Sequence, residues 1–305
     1  MTMIKRCLVT GGLGFIGSHV VDLLIKNQHE VWVIDDLSTG SFDNANANAK
    51  YEIHSIGESD FLDQLLAKIK PHWVFHLAAL PRIQPSFDDP ILHDEVNVHA
   101  TIKLLLSLKS IPIEAFVFSS SSAVYGNPDE LPTSESASIN PLSPYALQKY
   151  AAERYVHILG DRHNIPVVSL RYFNPYGPRS FNPKNPFNAY TSVVGIFRNQ
   201  LNEGKAMTIT GNGLQERDFI HVFDVANANL IVAEQINTTR MQVYNVGSGQ
   251  CMSILDLSKK FDAPAVFIPE RKGEANITLA KVDKLKQTGW EPLVSIENAI
   301  ERKII

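Results

Sequence analysis

The chain has 305 residues, 44% hydrophobic and 20% charged, with a formal net charge of −4. Such a composition can bury one large core or two smaller ones, and it offers no basic surface for nucleic acid or an anionic membrane. The two cysteines, Cys7 and Cys251, lie far apart and fit no metal-ligand spacing.

In chain order, Lys5 and Arg6 ahead of an apolar run imitate a secretory leader. The run stops at a glycine turn without a small-residue cleavage site, and no stretch approaches the length of a membrane span, so a cytoplasmic protein is expected. Residues 4–9 read instead as a strand, with Cys7 as a small buried hydrophobe. Thr10-Gly11-Gly12-Leu13-Gly14-Phe15-Ile16-Gly17-Ser18-His19 follows, then an amphipathic segment over 20–26. Strand, glycine turn and helix in that order suit a dinucleotide. Glycine lets the pyrophosphate approach the main chain, and the helix start offers N–H groups and the positive end of its dipole. Residues 31–35 read as the next strand, and it ends in Asp35. An acid about twenty residues on accepts the adenine-ribose hydroxyls and repels a 2′-phosphate, so NAD is expected rather than NADP.

Further strands are expected at 73–78, 115–119 and 166–170, with helices at 90–108 and 144–159. Continuous apolar strands alternating with helices predict an α/β, doubly wound parallel Rossmann sheet. Phe15 and Ile16 in the glycine turn, and Leu77 and Ala78 at a strand's carboxyl end, are expected to line the cofactor beside Gly11, Gly14 and Gly17. Beyond Arg171 the pattern changes, and residues 175–188, rich in Pro, Asn and Gly, read as an irregular connection. The expected division is a nucleotide-binding domain over 1–174, rejoined by about 222–246, and a smaller, partly discontinuous α/β substrate domain over 175–305.

Ser143 and Pro144 suit a helix N-cap and first turn. On the helix they open, Tyr145 and Lys149 are four apart and share a face. An ammonium near a phenol stabilises the phenolate and makes tyrosine a usable base near neutral pH. The same pair on a solvated helix is merely surface. Ser119-Ser120-Ser121-Ser122 follows a central strand, at the end where ligands bind in such sheets. Ser119 and Ser120 read as satisfying their own backbone, while one hydroxyl of the run is placed to bridge a sugar hydroxyl and the Tyr145 phenol.

The turn at Gly11, Gly14 and Gly17, the serine strand end, Tyr145 with Lys149, Arg171-Tyr172-Phe173-Asn174-Pro175, and Arg217-Asp218-Phe219-Ile220-His221-Val222 together resemble the extended short-chain dehydrogenase/reductases, and among them the nucleotide-sugar 4-epimerases. The resemblance spans nearly the whole chain, with its motifs in order. It implies Ser121, Tyr145 and Lys149 as catalytic residues, with Ser121 and Tyr145 also touching the sugar. It puts Asp35 at the adenine ribose, Lys149 at the nicotinamide ribose and Phe173 in the nicotinamide wall. Asn174, Arg217 and Arg271 match residues that hold the nucleotide diphosphate, and guanidinium forks suit phosphate oxygens. A UDP-sugar substrate, bound NAD and a homodimer through the helices at 90–108 and 144–159 are implied with them.

Two positions bear on the reaction. Relatives that dehydrate or decarboxylate sugars typically carry an acid just after the matching serine or threonine; here Ser121, Ser122 and Ala123 stand there, which points to epimerisation. Thr278, seven residues after Arg271, lies where a Tyr restricts the hexose pocket and a small residue admits an N-acetyl group. UDP-GlcNAc/UDP-GalNAc and UDP-Glc/UDP-Gal therefore both stay open. The alternatives are a 4-ketoreductase or lyase of the same fold, a UDP-glucuronate 4-epimerase and, more distantly, a non-enzymatic NAD-binding regulator. Ser55 departs from the acid that contacts adenine in relatives. Arg82, in Leu80-Pro81-Arg82, stands open between contact with a substrate diphosphate or sugar acid and a surface role. Asn97 and His76 read as structural.

Overall fold

The computed structural model describes residues 3–181, 192–261 and 263–305. Strands β1 (Arg6–Thr10), β2 (Glu30–Ile34), β3 (Lys50–Glu52), β4 (Trp73–His76), β5 (Ala115–Ser121) and β6 (Val167–Tyr172) join Val243–Val246 in one sheet. Its order is Val243–Val246, β6, β5, β4, β1, β2, β3, and every pair is parallel. The chain winds from β1 outward to β3, then crosses back to β4 and winds the other way. The crevice at the carboxyl ends of β1 and β4 is thus a topological switch point, where such sheets hold ligands. Cys7, Val9, Val33, Phe75 and Val117 pack into the core of one face, and Leu8, Ile34, Val74, Phe116 and Phe118 into that of the other. Burial on both faces explains the continuous apolar runs.

Element ends differ from the expected ones for identifiable reasons. Met3 and Ile4 are exposed, so β1 starts at Arg6, where pairing with Glu30 begins. β4 stops at His76 because Leu77 and Ala78 turn toward Thr10, donating to its carbonyl at 3.1 Å and its hydroxyl at 3.2 Å. β5 runs on to Ser121 because Ser120 and Ser121 pair with Arg171 and Tyr172. The helix opening at Pro144 continues to His163 and ends on Asn164 in the left-handed conformation, φ 54°. Residues 90–108 are helical with a π-helical turn, Glu95–His99, between Pro90–Asp94 and Ala100–Leu108. Asn97 lies in that turn and closes on the backbone of Leu80, accepting its N–H at 2.8 Å and donating to its carbonyl at 3.1 Å. His76 is a satisfied core histidine. Its ring nitrogens meet the hydroxyls of Thr10 (2.7 Å) and Thr101 (2.8 Å), and burial pushes it down to about 3.

Tyr176, Phe197, Met207, Ile209, Phe219 and Leu257 belong to a third core. Short pairings accompany it: Pro175–Tyr176 with Ile220–His221, Glu216–Asp218 with Cys251–Ser253, and Met207–Thr210 with Ala265–Ile268. Of the connection expected at 175–188, residues 182–188 lie outside the described residues. Helix Val222–Glu234 and strand Val243–Val246 return to the first core, which Ala280, Val282, Leu285 and Trp290 also enter. Among the described residues, no helix is long and apolar enough to cross a membrane.

Candidate active site

Helix Phe15–Lys26 starts at Gly14 without a side-chain cap, so its first turn is left for another acceptor to satisfy. A Cβ on Gly17 would lie 2.1 Å from the Gly11 carbonyl oxygen, and one on Gly11 would lie 2.7 Å from Ala78 N. Only glycine lets the turn fold this tightly. Asp35 accepts the N–H of Leu13 on one oxygen and that of Leu37 on the other, both at 2.9 Å. Burial raises its pKa, and these two bonds oppose the rise. A cavity around the turn is lined by Gly11, Gly14, Phe15, Ile16, Gly17 and Asp35, and by Leu77, Ala78, Ser121, Tyr145 and Lys149. An uncapped helix start, a backbone cradle and a carboxylate are the groups an NAD requires. Ser55 lines the same cavity, its hydroxyl accepting the Gly57 N–H at 3.1 Å. Asp36, Ser38 and Thr39 also line it and were not anticipated. The acidic pair Asp35-Asp36 was their only sequence signal.

A second cavity shares Pro81, Ser121, Tyr145 and Tyr172 with the first, and Asn174, Arg217, Arg271 and Thr278 line it. Ser121 and Tyr145 therefore stand at the junction. Ser143 caps the Tyr145 helix, its hydroxyl accepting the Ala146 N–H at 3.2 Å, with Pro144 in the first turn. Ser86, unread in the sequence, accepts the Tyr145 N–H at 3.0 Å. Burial pushes the Tyr145 phenol up to about 12, and a hydrogen bond with Ser121 opposes that rise.

Lys149 lines the first cavity with Tyr145. Its ammonium donates to the Ser119 carbonyl at 2.7 Å, and burial lowers it to about 8. Ser119 and Ser120 differ from the expectation, because the strand pleat sends their side chains into the two faces of the sheet. Ser119 Oγ meets the Tyr172 hydroxyl at 3.0 Å, and Ser120 donates to Glu153 at 2.6 Å.

Phe173 does not line either cavity. It is buried in the first core, its ring 6.1 Å from that of Tyr125, and Tyr172 lines the cavities instead. Asn174 adopts a left-handed backbone, φ 38°, and its amide nitrogen donates to Asp218 O (3.0 Å) and Thr278 Oγ1 (2.9 Å). Asn174 also lines the second cavity. Arg217 is nearly buried, donating to the carbonyls of Glu216 (2.9 Å) and Asn276 (3.2 Å) and meeting Glu274 at 3.4 Å. Arg271 is exposed on the cleft wall.

The arrangement is matched by known proteins. A family described as NAD dependent epimerase/dehydratase matches residues 7–247. The chain is 33% identical to the UDP-glucose 4-epimerase of Mycolicibacterium smegmatis, over 98% of this chain and 97% of that protein. It resembles the structure of the Thermotoga maritima UDP-glucose 4-epimerase with UDP-glucose, with TM-score 0.91, 34% identity, and 98% and 97% of the two chains covered. It also resembles the UDP-N-acetylglucosamine 4-epimerase of Methanobrevibacter ruminantium in complex with UDP-N-acetylmuramic acid, with TM-score 0.89, 35% identity, and 99% and 96% covered. With the glycine cradle, the acid after β2 and the Tyr–Lys helix all in place, the chain belongs to the NAD dependent epimerase/dehydratase family.

Proposed function

We propose that this protein is a UDP-sugar 4-epimerase in which Tyr145 is the acid–base residue. The observation that carries this reading is that Ser121 and Tyr145 stand together in the wall shared by the two cavities. The names of the relatives described above support the substrate class. Bound NAD supplies a reversible two-electron acceptor for the sugar C4. Tyr145, steadied by Ser121, takes the C4 hydroxyl proton as that carbon becomes a ketone, and returns it when the ketone is reduced from its other face. Arg217 and Arg271 hold the diphosphate, so the keto sugar turns over without leaving. Lys149, fixed by the Ser119 carbonyl, serves the nicotinamide ribose from the floor of the first cavity.

Epimerisation is favoured over elimination because Pro81, Ser121, Tyr145 and Tyr172, where the cavities meet, include no carboxylate to take a proton from C5. Thr278 lines the cleft with its hydroxyl bonded to Asn174. So small a wall leaves room for a 2-acetamido group, and both UDP-GlcNAc and UDP-glucose are proposed substrates. Leu147 and Ile158 on one helix, with Ile91 and Leu106 on its neighbour, are exposed apolar residues and make these helices the proposed homodimer face.

The test is a proton NMR time course with UDP-GlcNAc and, separately, UDP-glucose, using NAD-loaded protein and no reductant. Catalytic conversion to a mixture of C4 epimers is expected. A 4-keto sugar formed only in step with reduction of added NAD⁺ or NADP⁺ would make the protein an oxidoreductase, and no conversion of either sugar would overturn the reading.

A further inference from the structure

Tyr145 follows Pro144 in the first turn of its helix, where backbone N–H groups have no partner within the helix. Pro144 has no N–H to satisfy. The Ser143 hydroxyl accepts that of Ala146, and the Ser143 carbonyl accepts that of Leu147 at 3.1 Å. The Tyr145 N–H goes to a separate element, the hydroxyl of Ser86 at 3.0 Å. Ser86 is fully buried, and its own proton is donated to the Ile83 carbonyl at 2.6 Å. With that proton committed, the oxygen's lone pairs are left to accept, and the two bonds reinforce each other.

Ser86 belongs to helix Ile83–Asp88, whose residues Ile83, Gln84, Pro85 and Asp88 line the second cavity, as does Arg82 just before it. Ser86 itself lines neither cavity. Gln84 donates to the Lys272 carbonyl at 2.7 Å, and a Cβ on Gly273 would come within 2.8 Å of the Phe87 ring. Gln148, a turn beyond Tyr145, donates to the Pro90 carbonyl at 3.0 Å. The short helix is thus fixed between the loop of Arg271 and the helix of Tyr145. Ser143 and Pro144 already start that second helix, so the Ser86 bond is more than a cap. It joins the wall of the cleft to the main chain of the residue whose phenol takes the proton.

We propose that Ser86 is the positioning residue of Tyr145, setting the reach of its phenol through the backbone N–H at the start of its helix. This rests on the epimerase reading above and adds a residue to it. Ser86 touches no reacting atom in this account. It fixes the helix start against the cleft wall, so that the phenol stands where the sugar C4 hydroxyl arrives. A displacement there costs rate and leaves affinity for the nucleotide intact.

The experiment is steady-state kinetics of NAD-loaded wild type, Ser86→Ala and Ser86→Cys with UDP-glucose or UDP-GlcNAc, whichever the wild type converts. Both substitutions are also built on Tyr145→Phe, and every protein is titrated calorimetrically with UDP. The cysteine variant keeps the packing but accepts an N–H only weakly. Both single variants should lose about tenfold to a hundredfold in kcat and less than about twofold in affinity for UDP. On Tyr145→Phe, with no phenol left to place, the same substitutions should change kcat by less than about twofold, because residues that act through one another do not add. A loss in Ser86→Ala that Ser86→Cys does not share would make Ser86 a packing residue and overturn the proposal. Equal losses of kcat and UDP affinity, a full loss persisting on Tyr145→Phe, or wild-type kcat in both single variants would overturn it too. Each of these leaves the epimerase reading standing. A wild-type protein that converts neither sugar defeats that reading, and this proposal with it.

Discussion

The ammonium of Lys149 donates to the main-chain carbonyl of Ser119 at 2.7 Å, at the carboxyl end of the central strand. A lysine in that position is held for work and not for stability. Burial lowers it from its usual range to about 8. Below that value the folded state carries a desolvated charge, and the penalty fades as pH rises toward the unfolded lysine value. Lys149→Met should therefore raise stability at pH 7 by about 2 kcal/mol, after allowing for the lost hydrogen bond. The gain should shrink between pH 8 and 10.5 while activity is lost throughout. Thermal melts across that range, with the variant and wild type equally loaded with NAD, check the sign. A variant less stable at pH 7 and unchanged by alkali would contradict it.

Tyr145→Phe should lower kcat by about 10²–10⁴, the usual weight of a positioned acid–base group, with little change in melting temperature. The Ser121 hydrogen bond holds the Tyr145 phenol lower than burial alone would. Ser121→Ala should thus move the rising limb of the kcat pH profile to higher pH. A profile that drops uniformly without moving would assign Ser121 to substrate contact alone.

Gly17→Ala should cost the cofactor as well as stability, because its new methyl would lie 2.1 Å from the Gly11 carbonyl oxygen. Gly14→Ala meets that oxygen only at 3.2 Å and should be tolerated better. Nucleotide released by acid from each purified variant gives the comparison, and NAD retained by Gly17→Ala at the wild-type level would refute the cradle.

Arg171 grips both oxygens of buried Glu153, at 2.9 and 2.6 Å, and donates to the Tyr125 hydroxyl at 2.8 Å. Arg171→Ala leaves the carboxylate buried and unpaired, which should cost about 3–5 kcal/mol. Urea unfolding measures the loss, and a change below about 1 kcal/mol would show that water replaces the pair.

The sheet and the glycine turn were legible because their signals are local: apolar runs, a strand–turn–helix order, an acid at a set distance. The two-sided burial of Cys7 to Val9 and of Phe116 to Phe118 appears directly as an unbroken apolar run. Side-chain direction at strand ends was less legible. Tyr172 and Phe173 are neighbours at the end of β6, and the resemblance alone could not say which ring reaches the cavity; the pleat sends Tyr172 there. The partners of Lys149 and Asn174 come from Ser119, Asp218 and Thr278, dozens of residues away or more. No spacing rule reports such contacts.

The central claim is oxidation and re-reduction at C4, and UDP-glucose deuterated at C4 tests it most directly. Incubated in ordinary water with NAD-loaded protein, it should yield UDP-galactose that keeps its deuterium at C4, with no solvent hydrogen entering C4 or C5. Loss of the label to water, exchange at C5, or recovery of unchanged UDP-glucose alone would contradict the account.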